Sequence, residues 1–437
     1  MDPIIYGYLM MVLLIALIVV GVNIGVSLLL TAVLGVWLSA GDFSAAAGLL
    51  NSGPFAATFD FTLSVIPLFI LMGLFVNASG ASRDLYEAGY SWFGRLPGGL
   101  GIVTVLANAI FAAVTGVSIA SAAVFSKIAV PEMLRLGYEK RFSVGCVAGS
   151  SVLGMLIPPS IMFIVYGIVS GESIGKMFIA GIIPGLVLTI TYIAGIFMMA
   201  FLFPSYIGSY SKPGKIPWFH RLKSLTKCLP IACLIILVLG GIYGGVFTPT
   251  EAGAIGCVGA LVIMITKGQF NLRNLRYTLM EAGFTTASVF LLFISAQMFG
   301  RMLAVSGLVD QISKVITQLS ISPSIIILIM LIVYVFLGCF LDVISIILIT
   351  MPIFLPVVRI LNYDPIWFGV LSTMTIETGL MTPPFGMSIF VVKGALGDLT
   401  SIEEIFLGSF PFLLILFFTI GIIFAFPSLT TWLPSLM

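Results

Sequence analysis

Charge is what this chain has least of. Only 8% of its 437 residues are Asp, Glu, Lys or Arg, where a soluble domain carries about 25%. So few charges cannot clothe a water-soluble surface. Histidine is scarcer still: His220 stands alone, in a polar loop. Histidine catalysis and histidine-rich metal centres therefore lack their parts, and there is no HExxH pattern. Five cysteines (Cys146, Cys228, Cys233, Cys257 and Cys339) sit mostly inside apolar runs, at spacings that match no metal or redox motif. Packing is their expected role. No buried nucleophile–base pair is evident, so an enzyme is not expected.

What fills the chain is apolar. It is 60% hydrophobic with mean hydropathy +1.22, in long runs without strand-like alternation. That composition defines an all-α polytopic membrane protein with the lipid bilayer as its main partner, and no nucleic acid or cofactor is expected. Met1-Asp2-Pro3 brings no basic stretch before an apolar run that outlasts a signal peptide, so a first retained span is expected.

Apolar runs near 4–20, 24–39 and 60–78 read as three spans. Residues 81–95 mix Arg83, Asp84, Glu87 and Arg95 with Leu85, Tyr86, Trp92 and Phe93, as an interfacial amphipathic helix does. A run at 99–126, a broken segment at 142–168 and a span at 177–203 follow. Between 204 and 228 lie Lys212, Lys215, Arg221, Lys223 and Lys227 with no acid, the strongest cytoplasmic signal in the chain. Spans near 229–247 and 251–266 come next, then a second basic loop. The pattern then recurs: a span at 283–304, a polar stretch at 305–321, a run at 322–355, a broken segment at 366–394 and a last span near 405–430.

Positions match as well as pattern. At an offset of 225, Pro131 pairs with Pro356, Tyr138 with Tyr363, Gly154 with Gly379, and Pro158-Pro159 with Pro383-Pro384. At an offset of 227, Gly73 pairs with Gly300 and Ser79-Gly80 with Ser306-Gly307. With the 204–228 loop inside, span 283–304 runs inward to outward. The run 99–126 has charged stretches on both flanks, so it enters and leaves on one side, with its hairpin tip at Thr115-Gly116-Val117-Ser118. Span 60–78 then runs opposite to its counterpart, and the repeats are inverted. Fifteen of the nineteen basic residues fall in segments this scheme places inside. The second hairpin has its tip near Gly338-Cys339-Phe340-Leu341-Asp342. The chain divides into N-terminal scaffold helices (1–59), a first repeat (60–203), a linking region of basic loops and two spans (204–282), and a second repeat (283–437).

The paired Pro-Pro breaks carry the functional argument. Proline inside a membrane helix removes a donor and frees carbonyls, which is tolerated only where the break is buried or lines a cavity. Such breaks at matching places in two halves point to a transporter's binding site. Carbonyls at a broken helix end suit a hard cation such as Na⁺, and amides at the next helix start suit a carboxylate. Gly116, Gly154, Gly338, Gly379 and Thr382 lie on tips or breaks and are the leading site positions. Ser118, Ser150, Ser345, Thr375 and Thr378 add hydroxyls, as do Thr115 and Ser151. Asp342 either binds a cation or caps the helix that follows it. Glu377 either faces the site or pairs with a buried donor. Thr115, Ser151, Pro158, Asp342, Glu377 and Pro383 are the candidates for solute contact. Thr248-Pro249-Thr250-Glu251 reads as a helix start, while Arg301 and Arg359 lie near the outer edges, where snorkelling or a partner contact is expected.

Taken together, Thr115-Gly116-Val117-Ser118, Ala129-Val130-Pro131-Glu132, Leu153-Gly154-Met155-Leu156-Ile157-Pro158-Pro159-Ser160, Ala180-Gly181-Ile182-Ile183-Pro184-Gly185 and Thr382-Pro383-Pro384-Phe385-Gly386 resemble the large membrane (M) subunit of the tripartite ATP-independent periplasmic (TRAP) transporters, in the C4-dicarboxylate-type branch. The resemblance covers nearly the whole chain. It implies an elevator-type, inverted-repeat importer of organic acids with Na⁺ as coupling ion. It also implies a small membrane (Q) subunit, a periplasmic substrate-binding (P) protein and a bacterial inner-membrane location. It places sodium near Gly116, Ser118, Ser150 and Gly154, and near Gly338, Gly379, Thr382 and Phe385. Val117, Ser151-Val152 and Thr375 depart from the family's common residues, close to these sites. The chain's length leaves no room for a fused small subunit, so a separate Q chain is expected. The alternatives are a stand-alone sodium/carboxylate symporter and, from another class, an intramembrane enzyme.

Overall fold

The computed structural model describes residues 3–208, 214, 216–318 and 321–437. Among these residues every regular element is helical. Met1, Asp2, Lys212 and Lys215, which entered the sequence argument, lie outside the described residues.

α1 (Pro3–Val19) and α2 (Ile24–Ala40) occupy the first two apolar runs. The structure then adds a helix that no apolar run announces, α3 (Phe43–Thr58), capped by Asp42. Its sequence mixes Ala, Gly, Ser and Asn with Pro54, and it buries only a narrow stripe of Ala46, Leu49, Gly53 and Ala57. α4 (Val65–Ala78) follows a short turn capped by Asp60. α5 (Ala81–Phe93) is the amphipathic arm, burying Leu85, Tyr86 and Ala88.

α6 (Gly99–Thr115) and α7 (Ser118–Arg135) pack side by side, divided at Gly116-Val117. α8 (Lys140–Ser151), the one-turn α9 (Leu153–Leu156) and α10 (Ile161–Ser170) form the first broken segment, bent by 41°. α11 (Ile174–Leu202) is the span that closes this half. The basic loop holds α12 (Pro204–Ile207) and α13 (Trp218–Thr226), and α14 (Leu229–Tyr243) and α15 (Pro249–Thr266) are the linking spans. α15 opens with a full capping box between Thr248 and Glu251, as its sequence foretells.

α16 (Leu272–Val305) starts well before the apolar run at 283, because Asn271 caps it on a polar first turn. Then come α17 (Leu308–Gln318), an amphipathic arm, and α18 (Pro323–Gly338) with α19 (Val343–Ile360), the second hairpin. α20 (Pro365–Gly379) and α21 (Met387–Leu396) form the second broken segment, and α22 (Ile402–Ala425) the last span. The order span, arm, hairpin, broken helix, span thus occurs twice, from α4 to α11 and from α16 to α22. Among the described residues six helices are long and apolar enough to cross a membrane, and up to eight spans result if each of two bent pairs counts as one.

The helices pack as two groups. α1–α4 and α14–α16 form one, with α4 against α15 and α2 against α16. The hairpins, broken helices, α11 and α22 form the other, with α8 against α22 and α7 against α21. The α8–α22 crossing is backbone-close: a Cβ on Gly145 would lie 1.9 Å from Gly408 O. Small residues that let membrane helices touch are the usual means of tight association without a hydrophobic drive. The groups meet where α4 touches α6 and α10, and where α16 touches α19.

Arm α5 gathers the basic loops. Glu87 pairs with Lys227 at 3.0 Å, Asp84 pairs with Lys267, and Trp92 Nε1 donates to Arg221 O at 3.2 Å. Trp92 and Trp218 add an edge-on ring contact at 5.3 Å. The described parts of both basic loops therefore lie beside one amphipathic helix, on one side of the molecule.

Candidate functional site

Each hairpin tip is seated on its own half's broken helix. At the first tip α6 ends in Gly116, which adopts the left-handed region at φ 63°. That conformation favours glycine, and space demands it too: a Cβ there would lie 2.6 Å from Pro159 O. Gly116 O accepts from Ile161 N at 3.3 Å, tying the tip across the break. A Cβ on Gly154 would lie 2.7 Å from Ser118 Cα, so the chain at the tip passes directly over the first break.

The second tip repeats this with a different contact. A Cβ on Gly379 would lie 2.6 Å from Gly338 Cα, so α18 and α20 end backbone against backbone. Thr382 N donates to Gly379 O at 2.9 Å, and Ser388 N reaches back to Leu380 O at 3.1 Å. Pro158-Pro159 and Pro383-Pro384 are both cis. Phe340 of the tip meets Phe385 of the break at 5.5 Å between ring centres.

The breaks differ in exposure. Pro158, Pro159 and Ser160 are buried, whereas Pro383, Pro384 and Phe385 are exposed, Phe385 by 54%. The first break is covered by the chain and the second is not.

Among the side chains, Ser118 Oγ donates to Glu377 Oε1 at 2.7 Å, both residues being 0% exposed. This bond joins the first hairpin tip to the second broken helix, so the two half-sites adjoin. Glu377 thus pairs with a buried donor, and its Oε2 makes no hydrogen bond among the described residues. Asp342 caps α19, accepting from Ser345 N at 3.0 Å and from the Ser345 hydroxyl. Thr115, Ser151, Thr378 and Thr382 donate to carbonyls of their own turns, at Phe111, Ala148, Met374 and Thr378. Their oxygens keep lone pairs for a ligand. Thr375 Oγ1 is buried and has no partner among the described residues.

Asn108 of α6 did not stand out in the sequence. It is 0% exposed, accepts from Ser121 Oγ at 2.5 Å and donates to Ser150 Oγ at 2.6 Å. One amide therefore fixes both arms of the first hairpin and aims Ser150, which also donates to Cys146 O at 2.7 Å. The signal was present: a carboxamide inside an apolar run, two turns before the tip.

Cavities flank both hairpins where they meet the group of α1–α4 and α14–α16. One of about 420 Å³ lies between α4 (Ile70, Gly73, Leu74, Asn77) and the start of α7. The other, about 310 Å³, lies between α16 (Gln297, Gly300, Arg301, Ala304) and α19. The α4 and α16 residues correspond one to one at the offset of 227. The hairpin residues mostly do not, matching at the hairpins' offset of 225 only through Ala123 and Leu348. The first cavity meets α7 at Ile119–Val124, next to the tip, and the second meets α19 at 348–356, well down the arm. Likewise Gly73 abuts Thr115 at the first tip, whereas Gly300 abuts Pro352.

A multi-pass helical protein with two tip-and-break half-sites has the architecture of a membrane transporter. Two solved transporters share the fold: YdaH of Alcanivorax borkumensis, at TM-score 0.65 and 14% identity over 89% of this chain and 90% of that one, and MtrF of Neisseria gonorrhoeae, at 0.58 and 10% over 88% and 84%. The chain belongs, more narrowly, to the DctM component family of the tripartite ATP-independent periplasmic transporters, which it matches over residues 11–429. The C4-dicarboxylate TRAP transporter large permease DctM of Pseudomonas aeruginosa is 34% identical over 87% of this chain and 88% of its own. The sialic acid TRAP transporter large permease SiaM of Vibrio cholerae is 30% identical over 86% and 87%. The protein is thus a transport permease and not an enzyme, and its family works in tripartite systems.

Proposed function

We propose that this chain is the large permease of a sodium-coupled importer of organic acids in the bacterial inner membrane. A periplasmic binding protein delivers the solute and a separate small membrane subunit braces the scaffold. Na⁺ sits near Gly116, Ser118, Ser150 and Gly154, and near Gly338, Gly379, Thr382 and Phe385, held largely by carbonyls at the tips and breaks. The solute's carboxylate meets the helix starts and hydroxyls around Thr115, Ser151, Pro158 and Pro383. Asp342 and Glu377 stand at the rim and centre of that site. The four-part division at residues 59, 203 and 282 is part of this reading, except that α16 runs unbroken from Leu272 to Val305, so the last boundary belongs before Leu272 and not at 282; the two repeats are inverted in the membrane. The C4-dicarboxylate and sialic acid named for the relatives support carboxylates as the solute class.

The observation that carries the mechanism is the register of each hairpin against α4 or α16. Equivalent positions of α4 and α16 face hairpin positions that differ by roughly four to twelve residues, or roughly 6–18 Å of helix. Two halves built alike but slid differently are what an elevator requires: exchanging the two registers yields the opposite-facing state. The group of α1–α4 and α14–α16 is then the scaffold, and the hairpins with the broken helices are the moving body.

The test is uptake into proteoliposomes that hold this chain and its small subunit, with binding protein outside. Uptake should need both an inward Na⁺ gradient and loaded binding protein. Uptake indifferent to the gradient, or unchanged without the binding protein, would sink the proposal.

A further inference from the structure

The two seam cavities have equivalent scaffold walls but different chemistry. Where α4 places Ile70 and Leu74, α16 places Gln297 and Arg301, one turn apart on the same face. The apolar pair is adequate for packing in one half, so packing does not explain the polar pair in the other. Arg301 makes no ion pair among the described residues. The side chain is exposed about one turn before the end of α16, so its guanidinium is free to reach a ligand at the cavity mouth. At about 310 Å³ the cavity lies at the small end of the range of ligand pockets, about 300–1,000 Å³. Gly300 lines the wall beside Arg301, where a Cβ would meet Pro352 at 3.5 Å, an ordinary contact.

The difference in register sets what comes there. The first tip now lies against Gly73, beside Leu74. In the exchanged register the second tip lies against Gly300, beside Arg301. We propose that Arg301 and Gln297 form a carboxylate-binding antechamber on the fixed scaffold. It is the first contact of an incoming organic acid, used only when the second hairpin faces its mouth. The guanidinium takes a carboxylate through charge-assisted, two-pronged hydrogen bonds, and Gln297 adds an amide donor. The other cavity, where the scaffold contributes Glu281 from the opposite end of α16, repels the same anion. A solute is therefore attracted on one face and expelled on the other. This inference rests on the elevator reading above.

The experiment uses the complete transporter in proteoliposomes, with succinate and N-acetylneuraminate as probe solutes on their respective binding proteins. Arg301→Gln should raise KM for the transported probe about ten-fold or more with maximal rate little changed, and Arg301→Lys should recover part of the loss. Unchanged KM in Arg301→Gln, or a fall in maximal rate alone, overturns the antechamber while leaving sodium-coupled uptake standing. Loss of the small subunit on purification of Arg301→Gln overturns it too, by making Arg301 a partner contact. So does an anionic lipid retained by wild type and lost by the variant in native mass spectrometry. Absence of Na⁺-driven uptake in wild type overturns the functional proposal itself and, with it, the antechamber.

Discussion

At the scale of single residues, the site is made of backbone approach and a few hydroxyls. Gly116, Gly154, Gly338 and Gly379 were legible in the sequence because glycine at a tip or a break has a steric meaning. The Ser118–Glu377 bond was not, since its partners are 259 positions apart in the chain. Asn108 was missed for a related reason: its importance lies in the two serines it joins, and neither is adjacent in sequence. Asn108→Ala removes an acceptor from Ser121 and a donor from Ser150. It should destabilise the purified protein by about 1–3 kcal/mol, read as a lower midpoint of thermal unfolding in detergent. Any stabilisation of the protein by added Na⁺ should shrink in the same variant. An unfolding midpoint equal to that of wild type would mean the amide organises nothing.

At the scale of elements, apolar runs and charge mixtures located the spans, arms and hairpins well. They did not announce α3, which is too polar and too rich in small residues to stand out, and which owes its helix to the Asp42 cap and packing on α2 and α16. They also hid the polar first turns of α16. Hydropathy reports what a helix buries in lipid, not where its backbone starts to wind. The arm α5 gives an element-scale prediction. Exposed ion pairs contribute little singly, so the Trp92–Trp218 contact should dominate the docking of α13. Trp92→Ala should speed tryptic cleavage at Arg221 and Lys223 several-fold, while Glu87→Gln changes it little. Equal rates in Trp92→Ala and wild type would remove the arm from that role. Cleavage only from the cytoplasmic side of oriented vesicles is expected as well, because both basic loops gather on this arm.

At the scale of the whole molecule, the proposed elevator motion would take place at the seam between the two helix groups. Asn77 of α4 and Ala123 of α7 line the same 420 Å³ cavity from opposite sides of that seam. With the five native cysteines replaced, Asn77→Cys and Ala123→Cys should be joined by a short bifunctional thiol reagent. The joined protein should lose uptake yet keep Na⁺ binding. Full uptake in the cross-linked protein would rule out sliding at this seam.

The sequence by itself determined that the chain is a helical membrane protein, that it is built twice over, and where each half is broken. Those are local facts: hydropathy, proline chemistry and glycine positions act within a turn or two of chain. The tertiary structure alone decided which break is covered and which is open. It also decided that Glu377 answers to Ser118, and that equivalent scaffold helices hold their hairpins in different registers. These depend on packing between segments hundreds of residues apart. Two nearly equal halves can settle in unequal arrangements, and a sequence repeat records only their likeness.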